Sequence, residues 1–194
     1  MARAHVFRTF DDVYDEATIA KLAAIYRRVV SELPPDAKTL PDLSVVEREG
    51  RLDVLLTAES ISIGEPVLDF VKDTMDAAVK LRPWVRTFVV EGPRPEQPWH
   101  RDFVALVASA RPTFATLLVA LDDVTEAMGG TEFCVRRMPD DGILEPEDLD
   151  ESVALRVLLK RNQGLLFDGR ILHRGSATRC ARSPVMYHLF ERPF

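Results

Sequence analysis

The sequence predicts a mainly β fold, an antiparallel barrel or sandwich with helices packed outside it. Two amphipathic stretches with a helical period occur in the first half of the chain. About eight short β-branched and aromatic runs follow, separated by Gly- and Pro-rich breaks. A chain of 194 residues suits one domain with a substantial core. We therefore expect a single domain over 1–194, with helix and hairpin support in 1–83 and the β core in 84–194.

The two helices are predicted from apolar residues that recur at three- and four-residue steps. This pattern extends over 16–33, where Asp15 is positioned to act as the N-cap. A second amphipathic stretch covers 66–81 and begins with Pro66, a residue favoured at the first helical position. Both helices present one apolar stripe, so each is expected to pack against a sheet.

The strands are predicted from short apolar runs bounded by turn residues. A hairpin is expected from 43–48 and 51–57, with an acidic loop at 138–152 between later strands. The remaining predicted strands are 84–91, 99–107, 113–121, 131–136, 154–160, 164–168, 170–174 and 184–191.

The composition excludes several classes of protein. A formal net charge of −6 argues against a nucleic-acid partner, because phosphate binding requires clustered Lys and Arg. No run approaches the roughly 20 apolar residues of a membrane span, so no membrane partner is expected. Two cysteines are too few for a disulfide framework, which favours a reducing, cytoplasmic location.

Three residues form a candidate metal site. His100 and Asp102 are two positions apart on a predicted strand, where alternate side chains point to the same side. His173 ends the predicted strand 170–174, which brings a third ligand across the barrel. Two histidines and one carboxylate leave open coordination positions, a pattern that suits Fe(II). Zinc more usually takes a closed tetrahedral set, or three ligands and a water.

Arg182 is the candidate for binding a carboxylate, because it opens the last predicted strand nine residues after His173. Arg179 is the competing candidate, but it lies in the preceding turn. His188 shares the alternation parity of Arg182, which would place it in the barrel, although a structural role is favoured for it.

Three further residues are candidate substrate contacts. Arg86 and Phe88 share one parity of the strand 84–91, and Arg86 facing inward would bind a substrate carboxylate. A solvent-facing position is favoured for Arg86, because charges are rarely buried unpaired. Phe88 and Trp99 are further candidates, although packing in the core is favoured for both.

These motifs, in this order, resemble the Fe(II)/2-oxoglutarate-dependent dioxygenases. The residues that carry the resemblance are the His100–x–Asp102 triplet, the segments 121–133 and 164–175, and Arg182 with the Ser and Pro after it. The similarity covers roughly 84–191 and is nearest to the phytanoyl-CoA hydroxylase and prolyl 4-hydroxylase branches.

The resemblance implies a double-stranded β-helix, or jelly roll, and assigns the residues of its site. His100, Asp102 and His173 become the metal ligands, and Arg182 binds the distal carboxylate of 2-oxoglutarate. Arg174 departs from the His-Gly-Ser pattern of the phytanoyl branch. The Pro-Gly-Ser-His sequence that this branch usually has after the central hairpin is also replaced in this chain. These departures concern the surroundings of the ligands and the substrate rather than the three ligands.

The resemblance further implies an enzyme that uses Fe(II), 2-oxoglutarate and O2. Its expected reaction is hydroxylation of a C–H bond in a small-molecule substrate, with release of succinate and CO2. Asp102 occupies the carboxylate position, which argues against a halogenase. Desaturation, epimerisation and cyclisation would use the same three ligands. The alternatives are a cupin-type metal dioxygenase or isomerase that does not use 2-oxoglutarate, and a non-catalytic jelly-roll binding module.

Overall fold

The computed structural model describes residues 7–32, 39–40, 43–48, 51–57, 61–75, 80–81, 84–90, 92–102, 114–134 and 154–191. Within them the helices are α1 (Glu16–Glu32) and α2 (Glu65–Met75). The strands are β1 (Phe7–Phe10), β2 (Thr39–Leu40), β3 (Leu43–Arg48), β4 (Arg51–Thr57), β5 (Lys80–Leu81), β6 (Trp84–Val90), β7 (Phe114–Ala120), β8 (Thr131–Cys134), β9 (Ala154–Val157), β10 (Gly164–Asp168), β11 (His173–Gly175) and β12 (Arg182–Glu191).

Two antiparallel sheets form the body of the molecule. The major sheet has the order β1-β10-β7-β12-β6-β4-β3-β2, with β5 also paired to β12, and the minor sheet has the order β11-β8-β9. The segment 92–102 extends the minor sheet, because Arg94 pairs with Thr178 and His100 pairs with His173. An apolar cluster that includes Leu118 of β7 and Phe133 of β8 packs the two sheets together. This arrangement is the predicted jelly roll.

The helices pack on the other face of the major sheet, as their apolar stripes predict. Ile19 of α1 and Val67 and Val71 of α2 join one buried cluster with strand residues such as Leu117 and Phe190. The N-cap of α1 is also confirmed: the backbone N–H of Thr18 donates to Asp15 Oδ1 over 2.7 Å. In the described part of the chain, no helix has both the length and the apolar character needed to cross a membrane.

Several predicted boundaries differ from the structure. The second helix was expected to continue to residue 81, but Lys80–Leu81 forms β5, paired with Glu191 and Phe190 of β12. A strand over 170–174 was also expected, whereas β11 begins at His173 and a turn precedes it. The strand β1, which pairs with β10, was not predicted. The acidic loop 138–152 lies outside the described residues, as does most of the predicted strand 99–107.

Candidate metal centre

The structure brings His100, Asp102 and His173 together. One nitrogen of each imidazole and one carboxylate oxygen all lie within 4.8 Å of one another. Backbone pairing explains the meeting of the two histidines: the N–H of each donates to the carbonyl of the other, over 3.0 and 2.9 Å. Their rings consequently lie side by side with centroids 4.6 Å apart, and Asp102 Oδ1 lies 3.5 Å from His173 Nε2.

Hydrogen bonds to the backbone fix which nitrogen of each histidine is available. His100 Nδ1 lies 2.9 Å from the Pro98 carbonyl oxygen, and His173 Nδ1 lies 3.0 Å from that of Ile171. A carbonyl oxygen only accepts, so each Nδ1 must carry the donated proton in the neutral ring. The Nε2 atoms of both rings are left with a lone pair, which is the state that binds a metal.

Asp102 is held as a carboxylate by the major sheet. Its side chain is 9% exposed, and Thr116 Oγ1 of β7 donates to its Oδ2 over 2.6 Å. Burial raises the pKa of Asp102, and the hydrogen bond and charge that His173 supplies when its Nε2 is protonated oppose this effect. Hydrogen bonds from Thr116 and Tyr187 lower the pKa further, so it lies below the ordinary value of 3.8. The ionised form therefore prevails at neutral pH.

Aromatic side chains fix the imidazole of His173. The ring stacks on Phe133 of β8 with centroids 5.8 Å apart, and it meets Phe167 of β10 edge-on at 4.8 Å. The His173 side chain is only 7% exposed, whereas His100 is partly exposed. This packing limits rotation of His173 and leaves the more open side of the site next to His100.

The donor set fits Fe(II). Two imidazole nitrogens and one carboxylate oxygen converge, and the oxygen and nitrogen types are those of the facial triad in non-haem iron enzymes. Three protein ligands leave coordination positions for a chelating co-substrate and for O2.

The structure also defines the backbone positions of the residues that were predicted to bind the carboxylate and the substrate. Arg182 is the first residue of β12 and pairs with Val90. Arg179 precedes that strand, and its N–H donates to the Ala127 carbonyl over 2.7 Å. Arg86 pairs with Tyr187, the residue that hydrogen-bonds to Asp102, and Phe88 pairs with Val185.

The structure places His188 outside the site. It is fully buried on the helix-facing side of β12, between Met186 and Phe190, and its Nε2 contacts the hydroxyl of Tyr14. The parity argument from Arg182 is wrong because the pairing with β6 shifts between Arg182 and Val185. Such an irregularity inserts one extra residue into a strand. Residues on either side of it that are an even number of positions apart therefore point to opposite faces of the sheet.

Trp99 is also placed away from the ligands. Its indole lies under the guanidinium of Arg174, with Cζ 4.6 Å from the ring centroid. Arg174 follows His173 along β11 and points to the opposite face, because neighbouring strand residues alternate. Trp99 therefore belongs to the outer face of the minor sheet.

Two functional residues were not identified from the sequence, namely Thr116 and Tyr187, which hold Asp102. Thr116 carried a usable signal, since it is the one polar residue in the run Phe114–Ala120. A hydroxyl in a fully buried strand must find a partner. Tyr187 carried no comparable signal.

Comparison with known proteins now decides the family. The family model described as phytanoyl-CoA dioxygenase matches residues 9–183. The chain belongs to this family. As a phytanoyl-CoA dioxygenase family member it is a 2-oxoglutarate-dependent oxygenase, with Fe(II), 2-oxoglutarate and O2 as its cofactor and co-substrates. No curated protein matches the chain significantly.

Three solved structures with a similar fold are those of AviO1, HygX and SnoN. AviO1 from Streptomyces viridochromogenes Tue57 is 19% identical with a TM-score of 0.72, over 98% of this chain and 91% of that one. HygX from Streptomyces hygroscopicus, with nickel, 2-oxoglutarate and hygromycin B bound, is 11% identical with a TM-score of 0.67, over 98% and 84%. The non-heme alpha-ketoglutarate-dependent epimerase SnoN from nogalamycin biosynthesis is 15% identical with a TM-score of 0.58, over 97% and 79%. At these identities the likeness shows the shared fold.

Proposed function

We propose that this enzyme hydroxylates a C–H bond of a small-molecule substrate, with iron held by His100, Asp102 and His173. The observation that carries the proposal is the convergence of these three donors, with both Nδ1 protons tied to backbone carbonyls. Such hydrogen bonds orient metal-ligating imidazoles and fix their tautomer. When bound, the iron supplies the chemistry that couples O2 and 2-oxoglutarate to substrate oxidation, with succinate and CO2 released.

The protein's own residues would position the reactants. We assign the distal carboxylate of 2-oxoglutarate to Arg182, whose guanidinium is suited to two parallel hydrogen bonds. Arg182 belongs to the same strand as Tyr187, which contacts Asp102, so one strand serves both groups. Thr116 occupies Oδ2 of Asp102, which leaves Oδ1, the oxygen nearer His173, to bind the metal.

A small-molecule substrate is supported by two of the similar structures. HygX is described with hygromycin B bound, and SnoN is described in complex with Fe3+, alpha ketoglutarate and nogalamycin RO. Arg86 and Phe88 are retained as candidate substrate residues, since their backbone positions adjoin Tyr187 and Val185.

The first test is an anaerobic visible spectrum of the apo-protein mixed with Fe(II) and 2-oxoglutarate. Chelation of the keto acid on the proposed triad should give a weak metal-to-ligand charge-transfer band. His173→Ala should abolish the band because it removes one of three protein ligands. A folded, metal-loaded protein without the band would contradict the assignment of the 2-oxoglutarate site.

Two arginine variants test the carboxylate clamp. Arg182→Ala should weaken 2-oxoglutarate binding by about 100-fold, since the loss of a charge-assisted bidentate pair costs about 2–3 kcal/mol. Arg179→Ala is the matched control, because it removes the same side chain three positions earlier and should leave the titration unchanged. The reverse pattern would transfer the role to Arg179.

The reaction outcome is tested separately, because a similar structure is that of an epimerase. With 18O2 and a turned-over substrate, hydroxylation places one labelled oxygen in the product. A product of unchanged mass would indicate epimerisation, and turnover without 2-oxoglutarate would indicate a cupin-type reaction instead.

A further inference from the structure

A row of four side chains crosses the outer face of the minor sheet, and we call it the outer row. It consists of Trp99, Arg174, Glu132 and Arg156. The guanidinium of Arg174 lies over the Trp99 ring, and its Nε donates to Glu132 Oε2 over 2.8 Å. Arg156 donates to Glu132 Oε1 from Nε and from a terminal nitrogen, over 3.0 and 2.6 Å.

The outer row follows the register of the sheet. Arg174 on β11 is directly opposite Glu132 on β8, and Glu132 is directly opposite Arg156 on β9. On the inner face the corresponding neighbours include His173, which pairs with Phe133. The outer row therefore backs the same stretch of sheet whose inner face carries the candidate metal ligand.

The row also spans the junction between the two histidine-bearing segments. Trp99 precedes His100, and Arg174 follows His173, so the contact between Trp99 and Arg174 lies immediately behind the paired histidines. The segment 92–100 joins β11 through backbone bonds at Gln97 and His100, and Arg94 bonds to Thr178 beyond that strand. The stacked indole adds a side-chain contact at the end of this pairing, where the ligand geometry is set.

Burial makes Glu132 the central member of the row. Its side chain is 8% exposed, and it accepts hydrogen bonds from two guanidinium groups, of which that of Arg174 is 13% exposed. Removing the Glu132 charge would take this counter-charge away from Arg174, which is costly for a group that is largely withdrawn from water. Arg174 would then lose a hydrogen-bond partner that supports its position over the indole, where it also has a cation–π attraction.

We propose that Trp99, Arg174 and Glu132 are positioning residues for the metal centre, acting through the backbone pair of His100 and His173. This inference rests on the proposed metal role of those histidines. The outer row reinforces the register and separation that the two main-chain bonds give the histidine backbones, and thereby the distance between their Nε2 atoms. Metal affinity is sensitive to the support of the ligands, with losses of 10- to 100-fold typical when groups hydrogen-bonded to them are removed, so the lower end of this range is expected here.

The test is a Co(II) titration of the apo-protein followed by the visible absorption of the bound ion. Trp99→Ala and Glu132→Gln should each raise the Co(II) dissociation constant about 10-fold. Trp99→Phe keeps an aromatic face for Arg174 and should recover most of the affinity. The double variant, Trp99→Ala with Glu132→Gln, should raise the dissociation constant by much less than the product of the two single effects. The two changes act on the same row of contacts, so the second removes support that the first has already weakened.

A matched control is available at a second ion pair of the same type. Glu16→Gln breaks the exposed pair between Glu16 of α1 and Arg161 of the turn before β10, and it should leave the dissociation constant unchanged. Unchanged Co(II) affinity in folded Trp99→Ala, even with a lower melting temperature, would overturn the proposal, as would independent effects in the double variant. If Glu132→Gln fails to fold, the comparison of Trp99→Ala with Trp99→Phe tests the proposal by itself. Absence of Co(II) binding by the wild-type protein would instead contradict the metal site itself.

Discussion

Tyr187 and His188 show how adjacent residues of one strand serve different parts of the protein. Tyr187 contacts Asp102 on the inner face of the major sheet, whereas His188 meets the hydroxyl of Tyr14 beneath the helices. Complete burial lowers the pKa of His188 to about 3. Its Nδ1 has no hydrogen-bond partner among the residues that the structure describes. His188 is therefore a neutral, structural residue at physiological pH.

Burial of neutral His188 should make the fold sensitive to mild acid. The unfolded chain takes up a proton near pH 6.5, whereas the native state takes it up only near pH 3, so stability falls as the pH decreases between these values. Between pH 7 and pH 5, His188 should lower the free energy of unfolding by about 2 kcal/mol, because the loss is about 1.4 kcal/mol for each pH unit below 6.5.

His188→Gln removes this titration and retains a polar partner for Tyr14. Urea unfolding of the metal-free protein at pH 7 and pH 5 measures the effect. The variant should lose about 2 kcal/mol less than the wild type over this interval. Equal losses in the two proteins would show that His188 does not remain neutral in the native state.

The sequence predicted the three converging side chains better than it predicted their surroundings. His100 and Asp102 share a side by local alternation, which spacing alone reveals. The contact of His173 with them was expected from motif order, and the structure explains it by backbone pairing. His188 could not be placed, because the irregularity near Pro184 depends on pairing with β6. The proline itself, which cannot donate within a ladder, was the only local sign of this irregularity.

At the scale of elements, a short 3₁₀ turn supports the segment that follows His173. The turn covers Glu126–Met128 and ends at Gly129, which has a φ of +68°. A Cβ atom on Gly129 would lie 2.6 Å from the Ala177 carbonyl oxygen and 3.0 Å from that of Ser176. The glycine is thus required both by its backbone conformation and by the close approach of the chain.

Gly129→Ala should destabilise the protein by about 2 kcal/mol or more, since left-handed strain alone costs about 1–3 kcal/mol and a backbone clash adds to it. Gly92→Ala is the matched control, because a Cβ there meets nothing within 4 Å. Chemical denaturation of both variants measures the difference. A Gly129→Ala protein as stable as Gly92→Ala would show that residues 176–177 can move away from the turn.

Elements with a strong local pattern were predicted well, and those made by distant pairing were not. The hairpin strands β3 and β4 and the strand β10 have the predicted bounds, and α1 ends within one residue of its prediction. β5 exists because Lys80 and Leu81 meet the end of β12, and β1 exists because it meets β10. Local periodicity does not indicate which distant strand a segment pairs with. The prediction therefore extended the second helix to residue 81, although Lys80 and Leu81 form a strand.

At the scale of the whole molecule, the candidate metal centre connects the two sheets. Asp102 is bonded to Thr116 of the major sheet, whereas His100 and His173 belong to the minor sheet. An ion held by all three would be linked to the major sheet through the hydrogen bonds that Asp102 accepts from Thr116 and Tyr187. Metal binding is therefore expected to stabilise the entire fold.

Metal addition should raise the melting temperature of the chelator-treated protein. At a free Mn(II) or Co(II) concentration of 100 times the dissociation constant, the stabilisation is about 2.7 kcal/mol if the unfolded chain does not bind. Asp102→Ala should abolish most of this shift, and Glu16→Gln should retain it. The same shift in Asp102→Ala as in the wild type would place the metal elsewhere on the protein.

The backbone pairing of His100 with His173 has a consequence for how this protein can change during evolution. Two main-chain hydrogen bonds fix the histidines relative to each other, whatever the length of the chain between them. Insertions and deletions between the ligands can therefore change the length of the intervening chain without altering the spacing of the two histidines. The length of this chain can thus vary among relatives while the pairing of the two histidines is inherited unchanged.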